Sequence, residues 1–238
     1  MRTFARLLIV SSLLFAAAAP LSAQTAVDPS GHWEGGLQAG PNVVNFELDL
    51  AKNAKGEFSG SFGQPEKGIR GLPISTVAVS GSTVRVVVKG GTDATTFQAT
   101  LSADGKSMSG EATQAGASMP FMLTRKGDAR LAAAPKNAAI GKELEGTWNG
   151  TLEVEGRQEH LVLKLANRPD GTAVGTIVDL DGSGVEIPIA ITHKAPNVTI
   201  EVPMVGASYA AVLKAAELTG TWTQSSITLP VTFTRAAK

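Results

Sequence analysis

Gly31-His-Trp33-Glu-Gly35-Gly-Leu37 returns 115 residues later as Gly146-Thr-Trp148-Asn-Gly150-Thr-Leu152. The echo runs on almost to the C-terminus. Leu72-Pro73-Ile74 answers Ile187-Pro188-Ile189, and Phe97-Gln-Ala-Thr-Leu101 answers Tyr209-Ala-Ala-Val-Leu213. Gly110-Glu-Ala-Thr-Gln114 answers Gly220-Thr-Trp-Thr-Gln224, and Pro120-Phe-Met-Leu-Thr-Arg125 answers Pro230-Val-Thr-Phe-Thr-Arg235. The offset shrinks from 115 to 110 along the way, the mark of small loop deletions. A repeat of this period fixes the domain count at two, each copy of roughly 95 residues and large enough to hold a core.

Within each copy the apolar period is two. Phe46, Leu48 and Leu50 alternate with Asn45, Glu47 and Asp49, as Leu161, Leu163 and Leu165 do in the second copy. Val84, Val86 and Val88 correspond to Val198, Ile200 and Val202. One face buried and one face wet describes antiparallel sheet. Turn residues interrupt at intervals of about ten, as in Asn53-Ala-Lys-Gly56, Ala103-Asp-Gly105 and Arg168-Pro-Asp-Gly171. Eight short strands are expected in the second copy, starting near Gly146, Gln158, Thr172, Val185, Asn197, Ser208, Leu218 and Thr228. The fold class is therefore all-β: two tandem, small, antiparallel up-and-down β-barrels of about eight strands, closed so that no edge is left exposed. Domain limits of 28–126 and 144–236 follow, with an Ala-, Lys- and Pro-rich linker over 127–143.

Closure places the end of the last strand beside the start of the first. Trp33 and Trp148 stand at the starts, Arg125 and Arg235 at the ends. Either each guanidinium stacks on its Trp and caps that end of the barrel, or each pair is a core Trp and an unrelated solvent Arg.

The Gly-x-Trp opening with a late Arg resembles the pattern of lipocalins and calycins. A longer match is carried by Gly146, Trp148, Pro188, Tyr209, Gly220, Trp222 and Gln224. This resembles the β-rich N-terminal accessory domain of secreted bacterial α/β hydrolases, here duplicated. The first copy departs from it, with Phe97 for Tyr and Ala112 for the second Trp. The resemblance implies a barrel-like accessory module and brings no catalytic residues. The hydrolase itself is missing, and Gly206-Ala-Ser208-Tyr-Ala210 is not a nucleophile elbow.

Residues 1–23 read as a signal peptide: Arg2 and Arg6, an apolar run from Leu7 to Ala19, and a small-residue cleavage site near Ala23. Periplasmic or secreted bacterial localisation is expected; an uncleaved anchor is the alternative. Without the leader, 19 basic residues face 21 acidic ones, with no basic run to suit nucleic acid or an anionic membrane. The absence of cysteine rules out disulfides and Cys-based zinc sites.

Chemistry is scarce. His32, His160 and His193 are scattered and lack paired ligands. Asp179-Leu-Asp181-Gly-Ser-Gly184-Val-Glu186 begins like a calcium loop, but its acidic spacing is too short and a polar hairpin suits it better. Gln114 and Gln224 occupy equivalent places; they could meet a ligand at a barrel mouth or bond the adjacent hairpin backbone. Bulky inward positions from Trp148 to Phe233 suggest packed barrels, with any ligand at an open end or between them. The expected function is an exported, non-catalytic binding or accessory protein contacting a small ligand or an exported partner. A lipocalin-like carrier is the alternative, and no constellation argues for an enzyme, a metal or a cofactor. The candidate ligand residues are Trp148, Tyr209, Trp222 and Gln224, then Trp33 and Gln114. The second copy, which keeps its aromatics, is the expected functional barrel.

Overall fold

The computed structural model describes residues 27–90, 93–182 and 184–237. The leader assigned to residues 1–23 lies outside them. Among the described residues every regular element is a strand, apart from two short 3-10 turns at Pro65–Lys67 and Pro203–Val205. The first copy supplies β1 (Gly31–Ala39), β2 (Asn42–Lys52), β3 (Phe58–Gln64), β4 (Ile69–Pro73), β5 (Thr76–Ser80), β6 (Thr83–Gly90), β7 (Asp93–Leu101), β8 (Ser107–Gln114) and β9 (Ala117–Gly127). They form one antiparallel sheet in the order β4-β3-β2-β1-β9-β8-β7-β6-β5.

The second copy supplies β10 (Asn137–Ala138), β11 (Gly146–Val154), β12 (Arg157–Asn167), β13 (Thr172–Asp179), β14 (Ile187–Pro188), β15 (Ala190–Lys194), β16 (Asn197–Val202), β17 (Ala207–Lys214), β18 (Glu217–Gln224) and β19 (Ile227–Arg235). Its order is β10-β13-β12-β11-β19-β18-β17-β16-β15, with β14 on β13. The expected all-β, barrel-type architecture holds in both copies. The strand expected near Val185 is divided: β14 stays on β13, the chain crosses at Ile189, and β15 joins β16.

The expected full closure is not met, since β4 and β5 in the first copy, and β14 and β15 in the second, share no ladder; in each copy the first and last strands do pair. β1 pairs with β9 and β11 with β19, putting Trp33 opposite Arg125 and Trp148 opposite Arg235. The guanidinium carbon lies 4.6 Å from the Trp33 ring centroid and 4.2 Å from that of Trp148. Both indoles are fully buried, and each indole N–H donates to a backbone carbonyl, that of Pro29 at 2.9 Å and that of Leu144 at 3.0 Å. Arg125 donates to the carbonyls of Ser30 and Asp28, and Arg235 to those of Glu145 and Glu143. Each Arg therefore ties the chain entering a barrel to the strand that ends it.

The sheets curl around separate apolar cores. One contains Trp33, Phe46, Leu48, Val86, Phe97 and Leu123; the other Trp148, Leu163, Ile200, Tyr209, Trp222 and Phe233. The alternation breaks at Asp49, which is buried on the outer face. There its carboxylate meets His32 across the strand pair at 2.9 Å and accepts the Arg130 N–H at 2.7 Å. His32 is buried too, its other ring nitrogen 3.0 Å from Glu34. The segment after β9 thus straps the outside of the first barrel.

This same segment, read from sequence as a linker without strands, continues into the second barrel. β10 pairs with β13, and Ile140 and Leu144 are buried in the second core. The Asn137 side chain donates to the Ile189 carbonyl at 3.1 Å and accepts the Ile191 N–H at 2.8 Å. A short side chain thereby does what a neighbouring strand would do for the chain crossing between β14 and β15. Asn167 repeats the device, bonding both the N–H and the carbonyl of Ile140. Gly141 donates to His193 Nδ1 at 3.1 Å, which makes that histidine part of the fastening.

Asn137→Ala would leave a buried carbonyl and a buried N–H unpaired. We expect a loss of about 2–4 kcal/mol in urea unfolding of the mature protein. A loss below about 0.5 kcal/mol would show that the seam closes without this amide.

Candidate functional site

The Trp–Arg pairs seal one end of each barrel. The opposite ends are formed by the last residues of β1, β3 and β8 and by the first of β2, β7 and β9, with their counterparts in the second copy. These ends face each other. Ile69 and Leu72 of β4, with the turn after β3, lie against the 3-10 turn Pro203–Val205, and Ile187 packs against both cores.

Two cavities occupy the facing ends. One of about 400 Å³ lies in the mouth of the first barrel, among Leu37, Phe46, Phe62, Phe97, Gln114 and Met119. The other, of about 220 Å³, lies at the junction, with Leu161, Ile177, Val202, Trp222, Glu159 and Asp179 in its wall. Ile69 and Leu72 border both.

The difference in size follows from single positions. Where the second barrel has Trp222, buried and turned toward its mouth, the first has Ala112. Where the second has Tyr209, the first has Phe97. Phe46, Phe62, Phe97 and Phe121 form a ring-on-ring cluster with centroids 5.1–6.2 Å apart, and the first three border the first cavity. In the second barrel the described aromatic contact is Tyr209 on Phe233.

The sequence candidates separate accordingly. Trp33, Trp148 and Tyr209 are fully buried and border neither cavity. Tyr209 donates to the Leu218 carbonyl at 2.6 Å and to that of Val231 at 3.2 Å, and burial pushes its phenol well above the usual range. These three are core residues, because their polar atoms are spent on backbone carbonyls and their rings on packing. Trp222 and Gln224 border the junction cavity, and Gln114 borders the first. Both glutamines also bond nearby backbone: Gln224 donates to Val205 O at 3.2 Å and Gln114 to Asp93 O at 3.4 Å. The backbone-bonding alternative posed for them therefore holds, and each also stands at a cavity edge.

The copies also differ in the space they hold. Sequence reasoning favoured the second barrel because it keeps its aromatics, yet those aromatics fill it. Of the two facing cavities, the larger belongs to the copy that lost a Trp. The signal was present in the Ala112/Trp222 pairing, read for chemistry when it bore on volume.

Glu159 was not singled out from sequence. It stands at the mouth-side start of β12, half-buried, bordering the junction cavity. Desolvation, reinforced by the charge of Asp179, raises its carboxyl above the usual range, while Arg157 pulls the other way. Asp179 accepts the N–H groups of Asp181 and Gly182 at 3.1 and 3.0 Å, a polar turn. Asp181 takes the His160 backbone and ring on the outside. Among the described residues no three His, Asp or Glu side chains converge as a metal site.

No family model matches the chain, and no curated protein matches it. Two solved structures are similar over most of their length. One is described as a candidate outer membrane protein of Bacteroides fragilis, with TM-score 0.30 and 10% identity, covering 87% of this chain and 97% of its own. The other is a protein of unknown function from Nostoc punctiforme, with TM-score 0.23 and 13% identity, covering 90% and 98%. Likenesses this distant carry no functional argument.

A carboxyl raised in the folded state binds its proton more tightly there than in the unfolded chain. Stability from it is complete below the ordinary carboxyl value of 4.5 and is lost as pH rises through the folded value. We expect Glu159→Gln to be more stable than wild type at pH 7 and the gain to vanish below about pH 4.5 in urea titrations across that range. A destabilised variant at pH 7 would show that the carboxylate is favourably partnered.

Proposed function

We propose that this is an exported, non-catalytic protein that binds a small, largely apolar ligand where its two barrel mouths face each other. The observation that carries the reading is the cavity of about 400 Å³ in the first barrel, walled by phenylalanine and aliphatic side chains with Gln64 and Gln114 at its edge. Sites for small molecules are concave and mainly apolar, with a few polar groups that orient the ligand. Export is supported by the leader read in residues 1–23.

Two points favour a small ligand over a protein partner at the mouths. Each mouth looks toward the other barrel, so a partner's surface could not reach them without separating the copies. Both facing cavities are concave, as a molecule of few atoms requires. The non-catalytic reading rests on the side chains that border the cavities: Glu159, Asp179 and Lys67 are their charged members, and no nucleophile stands with a base among them.

The test is titration of mature protein with N-phenyl-1-naphthylamine, followed by its fluorescence. We expect saturable binding of one equivalent, weakened about tenfold or more by Ala112→Trp and by Leu37→Trp, which fill the first cavity from two strands. Urea unfolding of both variants checks that they fold. Wild type without saturable binding, or folded variants that bind equally well, would overturn the proposal.

A further inference from the structure

The two cavities differ in electrical character, and the difference names a class of ligand. Around the first, the charged side chain is Lys67, an exposed residue on the 3-10 turn Pro65–Lys67. Around the junction cavity the charged side chains are Glu159 and Asp179, both half-buried, and no basic side chain borders it. The Glu159 carboxylate makes no hydrogen bond or ion pair to another described side chain, and Arg157, two residues earlier on the same strand, opposes its burial only as a neighbouring charge. Its neighbours across the cavity are Leu161, Ile177, Val202 and the indole of Trp222. An anion removed from water among apolar groups is costly unless a counter-charge arrives. The shared border of Ile69 and Leu72 puts the apolar cavity of the first barrel beside this carboxylate, which no basic side chain meets within the cavity.

Resting on the ligand-binding reading above, we infer that the ligand is an amine-headed apolar molecule. Its hydrocarbon part lies in the first barrel, and its ammonium lies at Glu159 between the barrels. The head group would gain a direct charge interaction in a place where solvent screening is reduced. The Trp222 ring offers the ammonium a second attractive surface, since an indole face draws cations. Asp179 adds negative potential from the adjacent strand while its Oδ1 stays engaged with the turn. The rival is a fatty acid with its carboxylate on Lys67. That pair would be solvent-exposed and so worth little, and the acid's charge would also face the field of Glu159 and Asp179.

The experiment is competition for bound N-phenyl-1-naphthylamine on the full mature protein at pH 7. The competitors are dodecylamine, dodecanol and dodecanoate, each below its micellar concentration. We expect dodecylamine to compete about tenfold better than dodecanol, and dodecanoate to be the weakest. Glu159→Gln should bring dodecylamine down to the level of dodecanol. Equal competition by amine and alcohol, a preference for dodecanoate, or an amine preference that survives Glu159→Gln would each overturn the head-group assignment while leaving a binding site in place. A parallel loss of amine and alcohol in Glu159→Gln would also overturn it, since that pattern reports damage to the cavity. Failure of all three to compete, with no probe bound, would overturn the ligand-binding reading itself.

Discussion

The pairing of first strand with last, β1 with β9 and β11 with β19, is the constraint on which both barrels depend. It joins residues about ninety positions apart, so the chain must give up the freedom of the whole intervening loop before the contact forms. The Trp and Arg placed at that contact offset the cost locally. The indole fills the end of the core and satisfies its N–H on a carbonyl. The guanidinium covers the indole face and reaches back to two carbonyls of the entering chain. Because this end is sealed in both copies, the opposite end is where openings can exist.

Those openings show how two copies of one fold come to differ. The positions are the same, but the volumes at them are not. Trp222 fills the space that Ala112 leaves open, and Phe46, Phe62 and Phe97 line a void where the second barrel has Tyr209 packed on Phe233. Charge diverges in parallel. Val44 stands where the second copy has Glu159, so the carboxylate belongs to one mouth alone.

Alternation of apolar residues made the strands legible, because one wet face and one dry face leave a period of two that no helix produces. The shared offset made the duplication legible, and Trp with Arg at opposite ends of each copy suggested where the ring meets. What sequence could not give was anything set by three-dimensional neighbours. Asn137 sits among exposed residues in an Ala-rich stretch, and only its place beside Ile189 and Ile191 makes it a seam residue. His32 and Asp49 look like ordinary outward positions until the strap at Arg130 covers them. Trp148, Tyr209 and Trp222 are alike as aromatics, yet two are spent inside the core and one borders a cavity. Glu159 reads as one more polar residue on a wet strand face; that it looks into an apolar space depends on the other barrel being there.

The strap belongs to both barrels. Its first residues belong to the first barrel through Arg130, and from Asn137 onward they belong to the second through β10, Ile140 and Leu144. Residues 131–134 are exposed and lie between these two allegiances. The second unit therefore begins nine residues before its first long strand. A fragment started at residue 144 would have the repeat intact and still be an incomplete barrel. Duplication of such a unit requires copying its leading segment along with its strands.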